Sequence, residues 1–247
     1  MIRNLKVLGL ALVAMLALTA VAASVASAQQ GKLTSDGSFT LKGEETGVEA
    51  NFLEAFGLKV QCPGSTYTGH KLGSTTELIT SGSTTGTLTP QYKQANHNCN
   101  VTPGNFKATI DMNGCDYVAH LGVTTGGVAG TYGVTFDVVC PNEQTSITVT
   151  VWTTSALETS EPNNPMCKLH VRGAPFNQGL KGAHATDSGA GDITLTGTVE
   201  GINVQKTKTT HSLLCPTAES NTGKFGLDVT VKGLNGAGGA TNISISE

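Results

Sequence analysis

Phe106-Lys107-Ala108-Thr109-Ile110-Asp111-Met112-Asn113 alternates apolar and polar side chains without a break. Successive side chains of a strand point to opposite faces. This run therefore lays Phe106, Ala108, Ile110 and Met112 on a core and turns Lys107, Thr109, Asp111 and Asn113 to water. The same period of two recurs in Val134, Phe136 and Val138, and in Ile147, Val149 and Val151. It appears again in Phe225, Leu227, Val229 and Val231 set against Asp228, Thr230 and Lys232. No stretch beyond the N-terminal leader repeats its apolar residues at helical spacing. The pattern predicts an all-β protein of short, half-buried antiparallel strands, folded as a sandwich or barrel-like roll.

Between Ile193 and Val204 the parity changes, running Ile193, Leu195, Val199 and then Ile202, Val204, with Gly201 at the switch. A bulge or bend at Gly201 explains the change with one extra residue. Turn chemistry stands at Gly126-Gly127, Asn142, Asn163-Asn164-Pro165 and Gly189 to Gly191. Three strand ends share a Cys-Pro stop: Val60-Gln61-Cys62-Pro63, Val139-Cys140-Pro141 and Leu214-Cys215-Pro216. Proline cannot extend a ladder, so each copy ends its strand beside an anchored cysteine. Their even spacing allows a degenerate internal repeat within a single domain. Ser81 to Gly86 and Gly173 to Gly191 are the most linker-like stretches, read first as loops within one β domain, and Thr241 to Ser246 reads as a last edge strand with Ile243 and Ile245 inward.

The first 28 residues read as a cleaved secretory signal. Arg3 and Lys6 precede an uncharged apolar run from Val7 to Ala23, and Ala26-Ser27-Ala28 supplies small residues at a cleavage site. The expected mature chain begins at Gln29, is secreted and crosses no membrane. Losing the leader removes two bases and no acid, so the formal net charge falls from −3 to −5. Charged residues make up 13% of the chain against an ordinary ~25%, and Thr, Ser, Gly and Asn take their place. A weakly acidic surface without basic clusters excludes nucleic acid as an expected partner.

All six cysteines, Cys62, Cys99, Cys115, Cys140, Cys167 and Cys215, fall after the leader. In an exported chain an even set implies disulfides, and no zinc-like Cys/His spacing competes with that reading. Six cysteines allow about 15 pairings. Strand order leans toward Cys62 with Cys99, Cys115 with Cys140, and Cys167 with Cys215.

Several of these segments carry a resemblance. Val60 to Cys62 followed by Thr66-Tyr67-Thr68-Gly69, then Met112-Asn113-Gly114-Cys115-Asp116-Tyr117, then Val139-Cys140-Pro141 leading into Ile147-Thr148-Val149 resemble a group of secreted, Thr/Gly-rich six-cysteine β-proteins of high-GC Gram-positive bacteria. The resemblance implies export and disulfides. It implies no activity, ligand or catalytic residue.

The known short motifs of catalysis do not occur. No serine has the Gly-x-Ser-x-Gly elbow, no His-Glu-x-x-His is present, and no glycine-rich segment ends in the Lys-Ser/Thr of a phosphate loop. His120 and His170 are the histidines that neighbouring strands would bring together as metal ligands. Glycoside hydrolysis needs two facing carboxylates, for which Asp111, Asp137, Glu200 and Asp228 are the strand candidates. Asp187 and Asp192 bracket a turn without the spacing of a calcium loop. Asn100-Val101-Thr102 and Asn242-Ile243-Ser244 match the N-glycosylation acceptor pattern. Trp152, the one tryptophan, follows Val151 and so points away from the core, where an indole ring stacks on sugar.

The expected function is extracellular binding or a structural role at the cell surface, without catalysis or cofactor. An extracellular or cell-wall glycan, or a protein, is the expected partner. Ligand binding falls to Trp152. A secreted carbohydrate-active hydrolase built on strand carboxylates is the first alternative, and an inhibitor-like interaction protein the second.

Overall fold

The computed structural model describes residues 30–47, 51–71, 76–92, 99–104, 106–124, 129–152, 165–208, 215 and 217–247. The leader, the Gly126-Gly127 and Asn163-Asn164 turns, His97, His211, Leu214 and Pro216 lie outside these residues. Among the described residues there is no helix, and therefore none long and apolar enough to cross a membrane.

Seventeen strands follow in order: β1 (Lys32–Ser35), β2 (Phe39–Glu45), β3 (Phe52–Ala55), β4 (Leu58–Gln61), β5 (Thr66–His70), β6 (Thr85–Gln91), β7 (Cys99–Thr102), β8 (Phe106–Asp111), β9 (Asp116–Thr124), β10 (Thr131–Val139), β11 (Ser146–Trp152), β12 (Cys167–Arg172), β13 (Leu180–Asp187), β14 (Asp192–Lys208), β15 (Ala218–Asn235), β16 (Ala240–Thr241) and β17 (Ile243–Ser246). Every strand pair is antiparallel. The alternation seen in the sequence is the burial pattern: Val134, Phe136 and Val138 are buried on β10, and Ile147, Val149 and Val151 on β11. β8 ends at Asp111, one residue short of the expected Met112. There the Asp111 carboxylate accepts the Asn113 N–H at 2.9 Å, and Asn113 Nδ2 donates to the Ser146 carbonyl at 2.8 Å, so the chain turns.

The sheet closes on itself twice. One circuit runs β15-β2-β5-β6-β9-β10-β13-β14 and returns to β15. The other runs β14-β12-β11-β8-β7-β4-β3 and also returns to β15. Two eight-stranded, barrel-like rings therefore share the β14–β15 hairpin. That sharing explains why β14 and β15 reach 17 and 18 residues where strands ordinarily have about 5–6. The start of β14 pairs with β13 (Gly197↔Ala183 to Ile193↔Asp187), and its end pairs with β12 (Val204↔Val171 to Lys208↔Cys167). Across the hairpin, β15 meets β3 through Lys224 to Gly226 and β2 through Val229 to Asn235.

The handover between rings sits at the parity switch. The β14–β15 register shifts on both sides of Ile202, next to Gly201 with φ +83°. The bulge lets Val199 and Ile202 both face inward, each nearly fully buried.

The linker-like reading of Gly173 to Gly191 is overturned, because this stretch contains β13, a strand of the first ring. Thr85 and Gly86 likewise open β6. The small residues reflect crowding. A Cβ on Gly197 would lie 2.9 Å from the Ala183 Cα and closer still to the Gly182 carbonyl oxygen. Glycine here is a condition of β13 and β14 approaching at all.

The two rings have one continuous apolar core. At the far end of the first ring, β1 and β17 pair as a separate ribbon, Lys32↔Ser246 to Ser35↔Ile243. Leu33, Ile243 and Ile245 are buried beneath it, a burial contributing about 1.5–3 kcal/mol per side chain. Leu33 reaches a small cavity shared with Leu41, Leu88, Leu121, Ile193 and Val231, so the ribbon stoppers the ring. The expected terminal strand is thus present, with Ile243 and Ile245 inward, and its partner is the other end of the chain.

The disulfides join Cys62 to Cys99, Cys115 to Cys140 and Cys167 to Cys215. The first ties β4 to β7, the second the facing ends of β9 and β10, and the third the start of β12 to the segment before β15. Each restricts the unfolded chain, a contribution of about 2–4 kcal/mol.

Candidate functional site

A polar concavity lies beside the stoppered end of the first ring. It is a cleft of about 450 Å³ lined by Thr34, Ser35 and Asp36, by Asp187 and the Gly189 to Gly191 turn, and by Asn242 to Ser244. Its size is that of a site for a small polar ligand. Three separate parts of the chain build it, and each is held by hydrogen bonds. Thr34 Oγ1 and Ser244 Oγ are 2.7 Å apart across the ribbon, and Ser35 Oγ meets Thr241 Oγ1 at 3.2 Å. Asp187 accepts the Gly189 N–H on one carboxylate oxygen and the Ile245 N–H on the other, both at 2.8 Å. The Ile243 N–H donates to the Gly191 carbonyl at 3.1 Å. Ser188 Oγ donates to the Asp192 carbonyl at 3.0 Å and to its carboxylate, closing the turn.

Two kinds of group face the cleft. Thr34, Ser35, Ser244 and Asn242 offer hydroxyl and amide partners, while Asp36 and Asp187 offer carboxylates. Asp36 is exposed and carries no hydrogen bond or ion pair among the described residues. No lysine or arginine lines the cleft.

Of the residues singled out in the sequence, Asp187 and the Asn242 to Ser244 triplet line the cleft, and the others are placed elsewhere. Trp152 ends β11 opposite Lys107, outside the cleft. It is half-buried, and its indole N–H is buried with no hydrogen-bond partner among the described residues. His120 of β9 and His170 of β12 are separated in the sheet order by β10, β13 and β14 and are not brought together. His120 Nε2 lies 2.9 Å from Asp137 Oδ2. The ring of His170 sits among three hydroxyls, those of Ser146, Thr148 and Thr207. Burial, followed by the nearby Lys168 charge, lowers its pKa below the ordinary histidine value. That environment favours a neutral ring.

The four strand carboxylates form no facing pair. Asp111 caps the Asn113 turn, and Asp137 accepts the Gly179 N–H at 2.6 Å while bonded to His120. Glu200 pairs with Lys224 at 2.8 Å, and Asp228 accepts the Thr46 hydroxyl at 2.6 Å. The carboxylate oxygens of Asp187 and Asp192 serve backbone and serine donors. Among the described residues no group of three or more His, Cys, Asp or Glu is arranged to hold a metal ion. Asn100 and Asn242 of the two acceptor triplets are both exposed.

No family model, curated protein or solved structure matches the chain. The reading of the site therefore rests on its own geometry.

A second polar feature is internal. Tyr92 and Tyr117 share a phenol–phenol hydrogen bond where the two rings meet, with Tyr67 and Glu45 close enough to influence them. Burial pushes the Tyr117 phenol up to about 12 and raises those of Tyr67 and Tyr92. Asn51, buried to 2% exposure, lines the same apolar cavity as Tyr92 and Tyr117. The cavity measures about 30 Å³, room for a water molecule and too little for a sugar. These tyrosines belong to the core joining the rings.

The cleft escaped sequence reasoning because its walls come from both ends of the chain. Two stretches of it stood out in the sequence: the Gly189 to Gly191 turn between Asp187 and Asp192, which lacks the spacing of a calcium loop, and Asn242-Ile243-Ser244, which matches a glycosylation acceptor.

Proposed function

We propose that the protein is an extracellular binding protein that takes a small, hydroxyl-rich ligand, a glycan fragment, in the cleft between the β1–β17 ribbon and the β13–β14 turn. The observation that carries this reading is a concavity of about 450 Å³ whose hydroxyl, amide and carboxylate groups stand on hydrogen-bonded backbone. Hydrogen-bonding groups fixed in advance bind a polar ligand without an ordering cost on association. The scattered strand carboxylates support binding over hydrolysis, because glycoside cleavage needs two carboxylates across one bond. Secretion, read from the leader, accords with three disulfides.

The test is retention of residues 29–247, with disulfides formed, on a glycan and cell-wall array. Asn242→Ala and Ser244→Ala are expected to reduce retention at least about tenfold, a loss of about 1.4 kcal/mol, and Trp152→Ala to leave it unchanged. Loss of retention in Trp152→Ala alone would move the site to the β11 face. Turnover of any retained glycan would replace the binding reading with the hydrolase.

A further inference from the structure

We infer that the cleft selects ligands bearing a protonated amine among their hydroxyls, the chemistry of an amino sugar rather than of an acetylated or acidic one. This rests on the binding reading above and specifies its ligand. Two carboxylates, Asp36 and Asp187, line the cleft, and no base does. Beyond the rim, Asp192 closes the turn and Glu247 follows β17, adding charge of the same sign. The nearest lysines by strand register are Lys32, opposite Ser246, and Lys232, opposite Asp192, and neither lines the cleft.

The two acids have different parts. Asp187 is committed to the fold, since each of its oxygens accepts a backbone N–H. Asp36 is committed to nothing: it is exposed, stands just past the end of β1 and has no partner among the described residues. Its carboxylate is therefore free to meet an ammonium group while Thr34, Ser35, Asn242 and Ser244 take the hydroxyls. Opposite charges at a protein surface attract, and the attraction weakens as salt is raised. An acidic sugar meets the same field with the opposite sign.

Three probes of equal length separate the possibilities: a β-1,4-linked glucosamine tetramer, its N-acetylated counterpart and a galacturonic acid tetramer. Each is titrated by calorimetry at about pH 6, where an amine is protonated, into the wild type and Asp36→Asn. The glucosamine tetramer is expected to bind at least about tenfold tighter than the acetylated one. Asp36→Asn is expected to abolish that preference and leave the circular dichroism spectrum unchanged, and the acidic tetramer is expected to bind weakest. Equal binding of the glucosamine and N-acetylglucosamine tetramers, or a preference that survives in Asp36→Asn, overturns amine selection and leaves the glycan cleft standing. If no tetramer binds and none shifts the amide resonances of Asn242 and Ser244, the cleft reading fails and takes this inference with it.

Discussion

Replacing Gly197 by alanine tests the closure of the first ring at the crowded β13–β14 seam. Gly197 has φ +132°, a backbone region that side chains avoid at a cost of about 1–3 kcal/mol. Its added methyl would also lie 2.9 Å from the Ala183 Cα. Backbone cannot rotate aside as a side chain can, so overpacking adds about 1–3 kcal/mol. The sum is about 2–6 kcal/mol, a large part of the roughly 5–15 kcal/mol that holds a domain together. Gly201→Ala is the control. Its φ is +83°, but nothing lies within 4 Å of the added carbon, so only the backbone term of about 1–2 kcal/mol applies. In urea titrations with disulfides intact, and with a slope of about 3 kcal/mol/M, Gly197→Ala should lower the midpoint by about 0.7–2 M and Gly201→Ala by about 0.3–0.7 M. Equal midpoints for the two variants would refute the crowding that requires small residues between β13 and β14.

Three further outcomes are expected. Asn177 is fully buried, donates to the Arg172 and Asn203 carbonyls at 2.7 and 3.0 Å and accepts the Asn203 N–H at 2.6 Å. Asn177→Ala orphans those groups and should destabilise by about 3 kcal/mol, measured by thermal unfolding; a loss under about 1 kcal/mol would contradict the network. Because the folded pKa of His170 lies below its ordinary value, the unfolded chain takes the proton first. Its stabilising effect is therefore complete above about pH 6.5 and is lost as pH falls from there through the folded pKa. His170→Gln should flatten that part of the stability profile in urea titrations between about pH 7.5 and pH 5, and unchanged slopes would reject the neutral ring. Finally, Trp152 reports on the second ring, while tyrosine near-ultraviolet dichroism reports largely on the first and on the junction. The shared hairpin should make the two unfolding curves coincide, and two separate midpoints would mean that the rings are independent.

Much of the strand content was legible in the sequence because period-two alternation records which face of a strand is buried. That is how Ala108 to Ile110, Val134 to Val138, Ile147 to Val151 and the Gly201 switch are visible without coordinates. Alternation does not record which strand lies alongside. Nothing local marks β14 and β15 as belonging to two rings, and β13 hid behind glycines and alanines whose role is to let backbones approach. The cleft was less legible still. Thr34 and Ser244 meet across 210 positions of chain, and only the ribbon that closes the ring brings them together. Trp152 drew attention as the single tryptophan, yet the structure places it away from the concave surface.

The hairpin that both rings share comes late. β14 begins at Asp192 and β15 at Ala218, after every other strand of both circuits, so a growing chain has nothing to close either circuit against until these two have emerged. Pairs such as β9 with β10 or β11 with β12 can form early, but each leaves open edges that only the last strands seal. The order of synthesis thus keeps both circuits open and threadable until that hairpin is made. Both barrels then shut around one late arrival, and the first and last residues of the folded chain lock together over the mouth.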